Sequence, residues 1–290
     1  MTPADPLQAA TAIVRAALDD LPQRPAVASF FDSATASVSH VLHDRATRAA
    51  MIVDPVLDFD AAAGRVSTAS ADVLSAYVAE HDLTVGWIVE THVHADHLSA
   101  ATLLRERLGG RIVMGAGVVE VRRRFADLYG RDAEGEADFD VLLADGARFA
   151  LGTLDGMAMH VPGHTPADTA FVVGDVVLTG DTLFMPDVGT ARADFPGGDA
   201  HALYRSIRRL LSLPAETRLL HCHDYPPEGR GPAWESTVAQ QRADNLHVGG
   251  DRGEDEFVAM RQARDATLKM PALMLAAVQV NIDAGRLSPR

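Results

Sequence analysis

His92, His94, Asp96 and His97 place three imidazoles and a carboxylate within six residues of the sequence. The apolar run at residues 85–89 comes directly before them and predicts a buried strand. Side chains alternate along a strand, so the first two histidines face the same side, and the following turn brings the other two groups to a neighbouring point. Burying so many polar groups without a metal would leave several of them unpaired. The cluster therefore predicts a site for one metal ion, or for two ions close together.

Further ligands are expected downstream, because four groups this close together cannot all bind one ion. His164 stands in a turn whose glycine and proline residues fix the backbone around it. Asp181 and His223 each follow an apolar run that predicts a strand. Strand ends are where the loops of a layered α/β fold gather their functional groups, so we expect all three side chains to lie near the histidine cluster.

As a set, these motifs resemble the metallo-β-lactamase superfamily, from about Ser29 to the end of the chain. The resemblance implies an α/β fold, a four-layer αββα sandwich of two mixed β-sheets with outer helices and the site along one edge. It also matches Asp54 to an early strand-end aspartate of that superfamily. The Asp-Pro pair at this position is equally typical of an ordinary turn, so both interpretations stay open.

The elements that must position these residues can be predicted from the hydrophobic pattern. We expect an N-terminal helical extension over residues 1–28, with a helix at 6–21, and a metallo-β-lactamase domain over residues 29–290 that includes the C-terminal helices. Basic residues 122–124 and acidic residues 132–140 are predicted to flank a loop. Further helices are predicted at 70–81, 98–108, 200–212, 234–245 and 254–267, and strands at 35–43, 48–54, 85–89, 148–152, 156–160, 170–173 and 176–179.

The amino-acid composition limits the size of the core, the partners and the compartment that we expect for this chain. The chain has 290 residues, of which 47% are hydrophobic, enough to bury the core of a single large domain. Its formal net charge of -14 argues against nucleic acid or an anionic membrane as a partner. We expect a cytoplasmic protein, because there is neither a membrane-spanning apolar stretch nor a signal peptide. A single Cys222 excludes an internal disulfide framework, and we interpret it as a small apolar filler.

Two further segments, residues 182–198 and 222–225, resemble the persulfide dioxygenase branch, and within it the bacterial β-lactamase-like hydrolase subgroup. The resemblance implies one Fe(II) ion per chain, held by His92, His164 and Asp181. It also implies conversion of glutathione persulfide, with O2 and water, to glutathione and sulfite. Two histidines and a carboxylate on one face of iron leave positions free for both the persulfide and O2.

The resemblance implies less specific roles for the remaining polar residues. His94, Asp96, His97 and His223 are expected either to orient the ligands and bound water or to bind a second metal ion. Arg192 and Tyr225 are predicted to bind substrate, and Tyr225 and His97 to act in catalysis. For the arginine, a structural ion pair with a nearby acidic residue is the alternative interpretation. Which thiol carries the persulfide stays open.

The main alternative is a glyoxalase II-like thioester hydrolase with two zinc or iron ions and a bridging hydroxide. The sequence Arg-Ala-Asp-Phe at residues 192–195, followed by Pro-Gly-Gly, favours the dioxygenase branch. Ala193 departs from it, since many relatives have cysteine there. A non-catalytic sulfur sensor or protein-interaction partner is a third hypothesis, which the intact ligand set disfavours. Relatives commonly form dimers or larger assemblies, so we also expect a homo-oligomer.

Overall fold

Two six-stranded sheets form the centre of the fold in the computed structural model, which describes residues 5–129, 139–250 and 252–287. The strands of the first sheet lie in the order β1-β2-β3-β6-β8-β9, and those of the second in the order β10-β11-β12-β13-β14-β15. A small sheet, β5-β4-β7, flanks them. Both large sheets are mixed, because β3, β6, β8 and β9 run parallel in the first and β13 and β14 run parallel in the second.

The strand bounds are β1 Ala26–Asp32, β2 Ser37–His43, β3 Ala49–Val53, β4 Val56–Asp60, β5 Arg65–Ser67, β6 Thr84–Val89, β7 Leu98–Ser99, β8 Arg111–Gly115, β9 Val141–Leu143, β10 Arg148–Leu151, β11 Leu154–His160, β12 Thr169–Val173, β13 Val176–Leu178, β14 Arg218–Leu220 and β15 Glu235–Thr237. The α-helices are α1 Pro6–Asp19, α2 Ala69–Glu80, α3 Ala101–Leu108, α4 Val118–Tyr129, α5 Ala200–Leu210, α6 Val238–Asp244, α7 Glu254–Asp265 and α8 Met274–Asn281. Single 3₁₀ turns lie at Leu21–Gln23 and Gly180–Thr182.

Three apolar clusters hold four layers together. One lies between the sheets, where Val89 of the first faces residues such as Phe171 of the second. A second lies between the first sheet and helices α2, α3, α4 and α8, and the third between the second sheet and α1, α5 and α7. Strands covered on both faces are apolar throughout, as in Val176–Leu178. This arrangement confirms the predicted four-layer sandwich of two mixed sheets.

The strand ends gather the ligand-type residues at one edge. β3 ends just before Asp54, β6 leads into His92, and β13 and β14 end shortly before Asp181 and His223. His164 lies in the turn between β11 and β12. The sheet topology therefore brings together residues that are up to 169 positions apart in the sequence, from Asp54 to His223.

Some predicted elements differ from those observed. Residues 235–237 pair with β14 as a strand, so the helix predicted from 234 begins only at Val238. The predicted helix at 98–108 starts at Ala101, after the short strand β7. The loop prediction beside residues 122–124 was wrong, because Val118, Val121 and Phe125 follow a helical spacing and bury one face of α4. Residues 130–138, which include most of the acidic run, lie outside the described residues.

The N-terminal helix packs on the second sheet. Ala10, Ile13 and Val14 of α1 are buried in the cluster that also contains β11, β12 and α5. The following strand, β1, starts at Ala26 and pairs along its whole length with β2. The division of the chain at residues 28 and 29 stays a prediction. Among the described residues, no helix is long and apolar enough to cross a membrane.

A substitution in α1 tests whether this helix folds as part of the sandwich. Replacing Ile13 with Ala is expected to lower the free energy of unfolding by about 2–5 kcal/mol, because it leaves a cavity against the second sheet. Arg15→Ala, on the exposed face of the same helix, is the matched control and should change it by less than about 0.5 kcal/mol. Urea unfolding measures both. An unchanged transition in Ile13→Ala would mean that α1 is an independent extension.

Candidate metal centre

Asp54 anchors the loop that carries the histidine cluster. Its Oδ1 accepts a hydrogen bond from the backbone N–H of Thr91 at 2.7 Å, and its Oδ2 accepts one from the Thr91 hydroxyl at 2.9 Å. Asp54 has a φ of +48°, in the left-handed region that aspartate tolerates better than most residues. Asp54 is therefore both a turn residue and a contact of the loop that carries the histidine cluster, as the two interpretations of the sequence describe.

His92, His164 and Asp181 come together as one buried group. The Nε2 atoms of His92 and His164 lie 3.8 Å and 3.6 Å from Asp181 Oδ2. The potential ligand atoms of the three residues lie within 4.8 Å of one another. The structure therefore brings together the three residues predicted to hold the metal, each from a different loop.

Hydrogen bonds on the far side of each ring leave both Nε2 atoms free. The Thr91 hydroxyl donates its proton to Asp54, so it accepts from His92 Nδ1, which is 3.0 Å away. His164 Nδ1 donates to the backbone carbonyl of Arg192 at 2.8 Å. With Nδ1 protonated in both rings, each Nε2 presents a lone pair, which is the arrangement a metal-binding histidine needs. Burial and the neighbouring His94 hold the pKa of His92 well below its usual range, so this ring stays neutral.

Two glycines make room for this group. Gly180 has a φ of +51°, and a Cβ there would lie 2.8 Å from the Thr91 hydroxyl. Gly163, directly before His164, approaches the backbone of α5, and a Cβ would lie 2.3 Å from the Leu203 nitrogen. Both positions therefore require glycine, because any side chain would displace the loops that carry the ligands.

A second group lies beside the first and contains the four residues predicted to orient the ligands or to bind a second metal ion. The Nδ1 atoms of His97 and His223 donate to the carbonyls of Leu98 and Ala36, at 3.1 Å and 3.2 Å. His97 Nε2 and His94 Nδ1 are buried and have no hydrogen-bond partner within the described residues. His223 Nε2 and Asp96 Oδ2 are also buried and lie 3.2 Å from each other. His94, Asp96 and His223 have ligand-type atoms within 4.8 Å of one another.

His94 is held from behind by two carboxylates. Its Nε2 hydrogen-bonds to Asp54 Oδ1 at 3.0 Å and lies 3.3 Å from Glu90 Oε2. Glu90, which accepts a hydrogen bond from the Ser99 hydroxyl, was not predicted as a site residue. The only sequence signal was an acidic side chain at the end of the apolar run 85–89, and burial raises the pKa of its carboxyl group.

The donor atoms fit a transition-metal ion. Imidazole nitrogens with one or more carboxylates suit iron or zinc, and the buried Asp181 carboxylate favours a cation. His94 Nδ1 and His97 Nε2, which have no hydrogen-bond partner in the described part of the chain, would also gain one from a metal or its bound water. His92, His164 and Asp181 are accordingly the residues that would hold one ion, and the second group borders it.

A cavity of about 510 Å³ opens beside the metal group. His164, Asp181 and Asp96 form part of its wall, together with Arg192 and Tyr225. The Tyr225 ring stacks on His223, with 5.7 Å between the ring centroids, and 49% of the residue's surface is exposed.

His97 borders a different cavity, of about 210 Å³, which lies on the side of β4. The two residues predicted to be catalytic thus face different spaces. Only Tyr225 borders the larger cavity.

The side chain of Arg192 is hydrogen-bonded to other residues of the protein. Its Nε and Nη2 atoms donate to both oxygens of Asp194, at 2.5 Å and 2.7 Å, and its Nη1 donates to the Lys269 carbonyl at 2.7 Å. Its own carbonyl orients His164. These contacts describe the ion pair considered as an alternative to substrate binding, and the substrate-binding role stays a prediction.

Buried contacts with α7 fix the loop that contains Arg192. Asp265 accepts hydrogen bonds from the Ala193 backbone N–H at 2.9 Å and from Arg261 Nε at 2.9 Å. Arg261 also donates to the Thr190 carbonyl at 3.2 Å. These residues were not predicted, and they connect α7 to His164 through the loop.

Comparison with known proteins identifies one family that this chain matches. The family model described as the metallo-beta-lactamase superfamily matches residues 36–223. A protein of Burkholderia pseudomallei described as a probable metallo-hydrolase is 52% identical over 90% of this chain and 93% of its own length. A beta-lactamase hydrolase-like protein of Xylella fastidiosa is 50% identical over 91% of this chain. This chain spans 62% of that protein's length.

Two further relatives carry names of specific enzymes. Glyoxylase B2 of Dictyostelium discoideum is 43% identical over 89% of this chain and 90% of its own. The human mitochondrial persulfide dioxygenase ETHE1 is 30% identical over 74% of this chain and 77% of its own. The crystal structure of ETHE1 from Myxococcus xanthus superimposes with a TM-score of 0.73, at 31% identity, and covers 90% of this chain and all of that one.

The contact between Thr91 and His92 yields a test of the metal centre. Thr91→Val is expected to weaken metal binding about 10–100-fold, because His92 loses the acceptor that fixes its ring. Thr91→Ser keeps the hydroxyl and is the matched control. Competition with a chelator measures the affinity of each protein for Fe(II) and Zn(II). Equal affinity in Thr91→Val and the unsubstituted protein would show that this hydrogen bond does not position His92 for the metal.

Proposed function

The chain belongs to the metallo-beta-lactamase superfamily, and we propose that it is a persulfide dioxygenase with one Fe(II) ion per chain. The substrate is glutathione persulfide or a similar low-molecular-weight persulfide, which reacts with O2 and water to give the thiol and sulfite. The observation that carries this proposal is the convergence of His92 and His164 on Asp181 at the wall of an open cavity. A facial group of two histidines and one carboxylate is typical of non-haem iron oxygenases.

Residues of the chain would orient the histidine rings and bind the substrate. A bound Fe(II) ion would supply the redox chemistry that allows O2 to react with a persulfide sulfur. Thr91 and the Arg192 carbonyl keep the two ring nitrogens directed toward Asp181. We assign to Tyr225, at the cavity rim beside His223, a hydrogen bond from its hydroxyl to the bound substrate.

The cavity suits a substrate with an anionic end and an apolar middle. Exposed Leu246 and Leu268 line its mouth. Arg264 of α7 lines it as well and is exposed, and in the described part of the chain it has neither an ion-pair nor a side-chain hydrogen-bond partner. We therefore assign to Arg264 the recognition of a substrate carboxylate, since the two other arginines of this wall are already paired.

A glyoxalase II-like thioester hydrolase is the second candidate. His94, Asp96 and His223 favour it, because their ligand-type atoms form a second group beside the first, and the ring of His97 lies next to that of His94. Two metal ions there would activate water as a hydroxide at neutral pH. The relative named glyoxylase B2 is consistent with this alternative. The relatives named persulfide dioxygenase or ETHE1 favour the dioxygenase.

Metal content and oxygen uptake together distinguish the two reactions. For protein purified anaerobically, we expect about one iron per chain, and O2 consumption with sulfite release when glutathione persulfide is added. Asp181→Ala, the negative control, should lose iron and activity together. Two metal ions per chain, no O2 uptake and hydrolysis of S-lactoylglutathione would move the assignment to the thioester hydrolase.

Arg264 provides a test of substrate recognition. Arg264→Ala is expected to raise the KM for glutathione persulfide about five- to tenfold and to change kcat less than about twofold, because a solvent-exposed charge contact adds modestly to binding. Arg15→Ala removes an exposed arginine that does not line the cavity and serves as the control. Steady-state O2 uptake gives both constants. An unchanged KM in Arg264→Ala would exclude this role.

A further inference from the structure

The thiol of Cys222 contacts the metal group directly. Cys222 lies between His221 and His223 after β14, and only 3% of its surface is exposed. Its Sγ donates a hydrogen bond to Asp181 Oδ1 at 2.7 Å. The residue is therefore more than the apolar filler expected from the sequence.

This hydrogen bond makes the two oxygens of Asp181 different. Oδ2 faces the Nε2 atoms of His92 and His164 at 3.8 Å and 3.6 Å. Oδ1 faces the thiol and, at 3.6 Å, His223 Nε2 of the second group. A second metal ion that shared Asp181 with the first would use Oδ1, because that oxygen is the one on the side of the second group.

We propose that Cys222 is a positioning residue that reserves Asp181 Oδ1 for a hydrogen bond and thereby limits the centre to one metal ion. A second ion can share the carboxylate only if it displaces the thiol from Oδ1. His97 Nε2, which has no hydrogen-bond partner within the described residues, and the facing atoms His223 Nε2 and Asp96 Oδ2, 3.2 Å apart, then remain available to bound water or substrate. This inference rests on the metal centre of the proposed function but does not depend on the persulfide reaction.

The first experiment compares metal stoichiometry in three proteins. The unsubstituted protein, Cys222→Ala and Cys222→Ser are exposed anaerobically to excess Fe(II) or Zn(II), desalted, and measured by elemental analysis. We expect about one ion per chain in the unsubstituted protein and about two in Cys222→Ala. Cys222→Ser should stay near one, because its hydroxyl can donate to the same oxygen.

Other stoichiometries would overturn the proposal. A single ion in Cys222→Ala would show that the thiol does not limit metal number. Two ions in the unsubstituted protein, with one lost in both variants, would make the thiol a ligand of the second ion. The ligand-type atoms of Asp181, Cys222 and His223 do lie within 4.8 Å of one another.

A measurement on the unsubstituted protein does not depend on the folding of any variant. Titration with Co(II) is expected to give no sulfur-to-cobalt charge-transfer band, because the sulfur is hydrogen-bonded to Asp181 Oδ1 and does not bind the ion. Such a band would overturn the proposal. Oxygen uptake separates the two levels of inference: one ion per chain without O2 uptake would reject the dioxygenase and leave the role of Cys222 standing.

Discussion

The buried carboxylate of Asp181 is the constraint on which this edge of the molecule depends. A charge removed from water has to be compensated by nearby donors or by a cation, and the chain supplies the surrounding groups from separate loops. His92 follows a strand of the first sheet, whereas His164, Asp181 and Cys222 belong to the second. The two sheets must therefore be packed correctly before the site exists, which ties the metal centre to the core between them.

Hydrogen bonds to the backbone hold the residues of the site in place. Asp54 fixes the loop of His92 through Thr91, and the Arg192 carbonyl fixes the ring of His164. The loop that contains Arg192 is fixed in turn by Asp265 of α7. A C-terminal helix thus supports His164, a proposed metal ligand about 100 residues earlier in the chain, through the intervening loop. The same helix carries Arg264 at the cavity, so ligand support and the proposed substrate contact share one element.

The three residues that we propose as metal ligands could be selected from the sequence because their signals are local. His92 stands in a dense cluster after an apolar run, and His164 and Asp181 stand beside glycines that the backbone requires. The partners that orient them could not be predicted, because contacts such as Cys222 with Asp181 join residues 41 positions apart on different loops. Short strands such as Glu235–Thr237 have too few residues for a period to be recognised, and β14 supplies the pairing that forms this one.

The histidines by themselves do not decide between one metal ion and two. His97 and His223 carry their protons on Nδ1, as His92 and His164 do, so both groups present Nε2 lone pairs. The difference lies in what already occupies each ligand atom. Asp181 Oδ2 faces only ring nitrogens at 3.6–3.8 Å, whereas a thiol is hydrogen-bonded to Oδ1. With Asp181 as the proposed metal ligand, this contact would limit the number of ions while all the ligand-type residues stay in place.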